Sequence, residues 1–122
     1  MVKTPYTGPN TWEGYNEFLG GEYKRKLANN TWVEKDPFSG DIAIRLHNTH
    51  ILTYFHPDGP AYPNRHVVMY KSGGYETVTT KQRMNQFGPQ HLRVTQKDYA
   101  FYIHDEYAAC TYYFMSGMKF SY

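Results

Sequence analysis

The chain has 122 residues, 13 basic and 11 acidic, for a formal net charge of +2, and is long enough for one domain with a buried core. That balance does not announce nucleic acid, which is not expected as a partner, so any basic site must be local. The single cysteine, Cys110, excludes an internal disulfide framework, and no stretch approaches the roughly 18 to 20 apolar residues of a membrane span.

Tyrosine, at 13 residues, is the compositional signature. Its apolar body and polar tip suit half-buried strands, interfaces and base-stacking surfaces alike. Residues Met1 to about Asn10, with Pro5, Gly8 and Pro9, read as an irregular arm without the apolar run of a signal peptide. Trp12, Tyr15, Phe18 and Leu19 then recur at near-helical spacing, which predicts a short helix over Thr11–Leu19 that Gly14 weakens. Glu22–Ala28 and Thr31–Lys35 read as a hairpin over Asn29-Asn30, since asparagine tolerates positive φ. After a turn at Asp36–Gly40, the stretch Asp41–His47 alternates cleanly. Ile42, Ile44 and Leu46 face one way, and Ala43, Arg45 and His47 the other. Asn48-Thr49 reverses the chain into His50–His56, Pro57–Arg65 is a proline-rich surface loop, and His66–Tyr70 resumes as a strand.

The least generic stretch follows. Gly73 and Gly74 free the backbone for a tight turn, Tyr75 comes next, and Thr79 with Gln82 forms a capping box. The helix it opens runs from about Thr80 to Phe87, with Gly88 as a left-handed stop and Pro89 blocking continuation. Met84 and Phe87 share its apolar face; Lys81 and Asn85 share a polar one. Glycine turn, aromatic and helix start together can hold a phosphate or nucleotide, with Gly74, Tyr75, Lys81, Arg83 and Asn85 as the residues at hand. The competing reading is a helix that plugs one end of a sheet. Beyond it, His91–Gln96 and Tyr99–His104 form a hairpin over Lys97-Asp98. The aromatic C-terminal extension, residues 107–122, reads as an added edge strand or an oligomer contact. The whole is a single α+β domain: a small antiparallel β-sheet of hairpins with one or two short helices.

The chemistry that would mark an enzyme is missing from the pattern. The six histidines match no zinc-ligand spacing, and Cys110, in an aromatic run, reads as a small buried hydrophobe. The acids are scattered, with no pair placed for general acid and base work. No catalytic residue, metal or cofactor is therefore expected. Lys24 and Lys26 on one face of their strand, with Arg25 on the other, read as a charge-protected edge or a phosphate strip. Arg45, on a central strand, must reach solvent, pair with an acid or meet an anion.

Three runs together resemble a family of small tailed-bacteriophage proteins. They are Leu27-Ala28-Asn29-Asn30-Thr31; Ile42-Ala43-Ile44-Arg45-Leu46-His47-Asn48-Thr49; and Ser72-Gly73-Gly74-Tyr75 through Met84-Asn85. Arg93–Asp98 with Phe101-Tyr102 belongs to the same pattern, so the likeness covers about residues 19 to 104. The chain is also similar to the first-described type of Thoeris anti-defence proteins, sponges that sequester cyclic ADP-ribose signals, some of which also hold cyclic oligonucleotides. That resemblance implies an antiparallel sheet with short helices, a dimer or hexamer, and action in the cytoplasm of the infected bacterial host. It also implies a pocket built from an aromatic, an asparagine ten residues on and an arginine from the sheet, here Tyr75, Asn85 and Arg45. Tyrosine stands where the resemblance implies tryptophan or phenylalanine, and the Pro57–Arg65 loop is longer. Arg25 and Arg93 are the candidates for a second anion site. The expectation is a non-enzymatic binder of a cyclic nucleotide signal. Its rival is a module that inhibits a host or defence protein through an aromatic surface.

Overall fold

The strict alternation at Ile42–Leu46 becomes a central strand of a six-stranded sheet in the computed structural model, which describes residues 9–122. Most of the expected arm, Met1 to Gly8, lies outside the described residues. Strands β1 (Lys24–Ala28), β2 (Thr31–Lys35), β3 (Ile42–Leu46), β4 (Thr49–Tyr54) and β5 (Val67–Tyr70) form an antiparallel meander. A second sheet holds β6 (Leu92–Lys97), β7 (Ala100–Asp105) and β8 (Cys110–Tyr113), and β9 (Met118–Ser121) then returns to pair with β5. Helix α1 (Trp12–Leu19) precedes the meander, and α2 (Val78–Phe87) joins the sheets. The fold is α+β as read, with two antiparallel sheets where one was expected. The C-terminal extension supplies an edge strand to each.

One hydrophobic cluster unites the parts. Ile44, Leu52, Tyr54 and Tyr70 of the first sheet pack with Val94, Phe101 and Ile103 of the second, Tyr15 and Leu19 of α1, and Met84 and Phe87 of α2. Each such side chain contributes about 1.5–3 kcal/mol by leaving water. Helix α1 starts at Thr11, whose side chain accepts from Gly14 N, and stops at left-handed Gly20. Gly14 belongs there after all: a Cβ would stand 2.3 Å from Pro9 Cβ. Cys110 is half-buried at the start of an edge strand rather than in the core, because its strand is the outermost of three.

Two expectations about α2 are corrected. Its N-cap is Thr77, not Thr79; the Thr77 hydroxyl accepts from Thr80 N at 3.2 Å and meets the Thr80 hydroxyl at 3.0 Å. Gly88 is not left-handed but extended, at φ −85° and ψ 169°. Space is what demands glycine there, since a Cβ would lie 2.4 Å from Tyr70 Oη and 2.6 Å from the Met84 carbonyl. The Tyr15 and Tyr54 hydroxyls both donate to the Phe87 carbonyl, at 2.7 and 2.5 Å. Tyr70 is equally buried, and its hydroxyl has no hydrogen-bond partner among the described residues.

These three phenols give opposite expectations for the same substitution. Tyr54→Phe removes a buried hydrogen bond, which costs about 1 kcal/mol, or roughly 3–5 °C in Tm at this size. Tyr70→Phe removes only an unpartnered polar atom, so Tm stays level or rises. Thermal unfolding of both variants checks this; equal losses would contradict it.

Candidate functional site

Ser72 N bonds Ser116 Oγ, and Tyr75 N bonds the Ser72 carbonyl, so the glycine turn is a closed reversal with φ of +61° at Gly73 and +85° at Gly74. Gly73 also approaches the first sheet closely: a Cβ would lie 2.9 Å from Thr49 side-chain atoms at the β3–β4 turn. That approach leaves a cleft of about 460 Å³ bounded by the β3–β4 turn, the glycine turn and the first turn of α2. Leu46 and Ile51 form its apolar floor, and His47, Asn48, Thr49, Ser72, Thr77, Thr79 and Thr80 supply polar groups. Tyr75 stands at the side, 67% exposed. Among the described residues no lysine, arginine or carboxylate lines the cleft. The Thr77 cap takes up Thr80 N, and the first helical bond runs from Lys81 N to the Thr77 carbonyl. The Val78 and Thr79 N–H groups therefore lie at the positive end of the helix dipole without intrahelical acceptors.

Of the residues singled out in the sequence, Tyr75 lines this cleft and Gly74 precedes it in the same turn. Asn85 does not join them. Its amide donates to the Val94 carbonyl at 2.8 Å and accepts from Val94 N at 2.7 Å, so it pairs with β6 as a neighbouring strand would. Arg83 donates to Thr31 Oγ1 at 3.0 Å and Gln86 Oε1 at 2.9 Å. Lys81 is half-buried on α2 and outside the cleft lining. Arg45 points to the sheet face opposite Ile44 and Leu46; its Nε meets Glu34 at 2.9 Å, and its guanidinium also reaches the His47 carbonyl. Arg25 bonds the Phe18 carbonyl at 2.6 Å and lies over the Phe18 ring, while Arg93 is exposed on β6. The polar groups that the sequence reading missed are His47, Asn48 and Thr49 in the β3–β4 turn and the threonines at the start of α2. Their only local signal was the turn itself.

Glu34 is the charge centre of the opposite face, holding Arg45 on one oxygen and His50 on the other, each at 2.9 Å. Burial raises its pKa, but the hydrogen bonds from His50 and Arg45 and their charges outweigh it and hold the carboxyl below 4.5. Among the described residues no group of three His, Cys, Asp or Glu side chains could hold a metal ion, and no helix is long and apolar enough to cross a membrane.

Residues 15–121 match the family model described as Kyanoviridae Gp96 protein. The chain belongs to that family of tailed-phage proteins. No curated protein and no solved structure matches it.

Two expectations follow from these contacts. Asn85→Ala strands both backbone groups of Val94 and costs about 2 kcal/mol, visible as a lower midpoint in urea; an unchanged midpoint would refute the strand-like role. The Glu34 carboxyl is depressed on folding, so its contribution is present above pH 4.5 and is lost as pH falls through the folded value. Glu34→Gln should therefore flatten the acid limb of stability below about pH 4.5, by a small amount because the pair is partly solvated.

Proposed function

We propose that this phage protein is a non-enzymatic anti-defence factor that binds and sequesters a cyclic nucleotide signal of the cyclic ADP-ribose type in the host cytoplasm. The observation that supports the reading is the exposed Tyr75 ring beside a cleft that opens on the start of α2. An adenine stacked on that ring is worth about 1–3 kcal/mol. The N–H groups of Val78 and Thr79, which have no intrahelical acceptor, suit a phosphate oxygen, and the threonine and Asn48 side chains suit a ribose edge. A sponge needs slow release rather than chemistry, so a cleft without a general acid or base is sufficient.

The cleft lacks a cation of its own. The proposal accordingly includes a homo-oligomer, dimer or hexamer, in which a neighbouring chain brings one to the phosphates. A second reading, a module that inhibits a host or defence protein, draws on Tyr99, Tyr107 and Met115, which stand 92%, 80% and 67% exposed.

Purified protein is to be mixed with cyclic ADP-ribose isomers and cyclic di- and trinucleotides, freed of unbound ligand, heated and analysed. Intact ligand released only on denaturation is expected, and Tyr75→Ala should weaken capture about tenfold while Tm holds. Degraded ligand would mean an enzyme. Absence of capture, with a host protein retained instead, would favour the interaction module.

A further inference from the structure

The second sheet buries one face and leaves the other to solvent. Leu92, Val94, Phe101 and Ile103 point into the core. The alternate positions form cross-strand rows on the open face: Arg93, His104 and Thr111 in one, and Thr95, Tyr102 and Tyr113 in the next. Lys97, opposite Ala100, lies beyond. Two basic side chains thus flank a tyrosine pair, about 13 Å apart along β6. None of these strand positions carries a carboxylate, and Arg93 and Lys97 form no ion pair among the described residues. The contrast with the first sheet is direct, because there Arg45 and His50 are already paired with Glu34.

The aromatic pair is built to present a ring. Tyr102 and Tyr113 meet edge to face, centroids 5.6 Å apart at 81°, and Tyr113 remains 63% exposed. In the adjacent row His104 Nδ1 and Thr111 Oγ1 lie 2.8 Å apart, which fixes the imidazole and leaves Nε2 without a partner among the described residues. We infer that this face is a binding surface for a single-stranded polynucleotide, separate from the Tyr75 cleft and independent of the function proposed for it. Unpaired bases stack on the Tyr102–Tyr113 platform while Arg93 and Lys97 take phosphates on either side. Bases already stacked in a duplex cannot use the rings, so the preference is for single strands. The face carries no Leu, Ile, Val, Met or Phe at these positions, and its two cations set it apart from the charge-depleted core of a protein interface. The small net charge of the chain is no obstacle, since the two cations are concentrated on one face.

Fluorescence anisotropy with labelled oligothymidylate and oligouridylate across a salt series tests the inference. Saturable binding to either polymer is expected, with a log K against log salt slope of about −1.4 for two neutralised phosphates. Duplex of matched length should bind more weakly. Tyr113→Ala, at an exposed position where the fold is not at stake, should weaken binding about fivefold or more, and Tyr113→Phe should restore it. The Arg93→Gln, Lys97→Gln double variant should bring the slope close to zero. Tyr75→Ala should leave oligonucleotide binding unchanged; if it abolishes binding, the polymer sits in the cleft and the inference falls. Absence of saturable binding at low salt, equal affinity for duplex, or indifference to Tyr113→Ala would overturn it as well.

Discussion

The carbonyl of Phe87 is the point to which the structure is tied. The last carbonyls of a helix have no partner within it, and burying one unpaired costs free energy. Here the end of α2 is buried, and two phenols from opposite parts of the chain, Tyr15 of α1 and Tyr54 of β4, donate to that single oxygen. Asn10 adds a bond to the Gly88 carbonyl one residue on. Gly88 itself lies too close to Tyr70 and the Met84 carbonyl for any side chain. With its C-terminal end fixed against α1 and the first sheet, α2 has little freedom to turn. Asn85 then anchors β6 from the middle of the helix, and the first turn comes to rest beside the β3–β4 turn. The cleft is a consequence of how the far end of the helix is held.

That dependence explains what could be read from the sequence and what could not. Strands β1 to β4 and the β6–β7 hairpin were legible because their signals are local: period-two alternation and asparagine or aspartate at turns that need positive φ, as at Asn30 and Asp98. Met84 and Phe87 were legible for the same reason, through helical spacing. Errors arose where a residue answers to something distant in sequence. Gly88 is glycine because Tyr70 is near, not because of its own φ. Asn85 had the spacing of a ligand group from Tyr75, but β6 presents an edge that the amide satisfies more completely than water would. The C-terminal extension was expected to add an edge strand, but that β8 joins β7 while β9 returns to β5, one in each of two sheets, has no local signal.

The candidate site was half legible for a related reason. Two glycines before an aromatic mark Tyr75 as projecting, and it does project. The other wall comes from the β3–β4 turn, more than twenty residues earlier, and is placed there by Gly73 approaching Thr49. Arg45 shows the converse. An arginine on a central strand invites an anion, yet Glu34 lies on the neighbouring strand and takes it together with His50. Such a partly solvated pair adds little stability. Its effect is to occupy the Arg45 guanidinium on the opposite face, while the polar side chains that line the cleft are hydroxyls, an imidazole and an amide.

The abundance of tyrosine then resolves into two physical uses. Tyr15, Tyr54 and Tyr70 are fully buried, and the first two donate their hydroxyls to a helix carbonyl, which leucine or phenylalanine in their place could not do. Tyr75, Tyr99, Tyr107 and Tyr113 stand more than half exposed, presenting ring faces that aliphatic side chains cannot. In Tyr15 and Tyr54 the polar tip is the working group; in the exposed set it is the π face. Tyr75 and Tyr113 carry theirs on different elements, one beside a helix start whose cleft has no lysine or arginine among the described residues, the other between two cations that form no ion pair among them. The first setting fits the compact nucleotide proposed for it, and the second the extended polyanion inferred there, whose successive phosphates would reach Arg93 and Lys97 while bases lie on the rings.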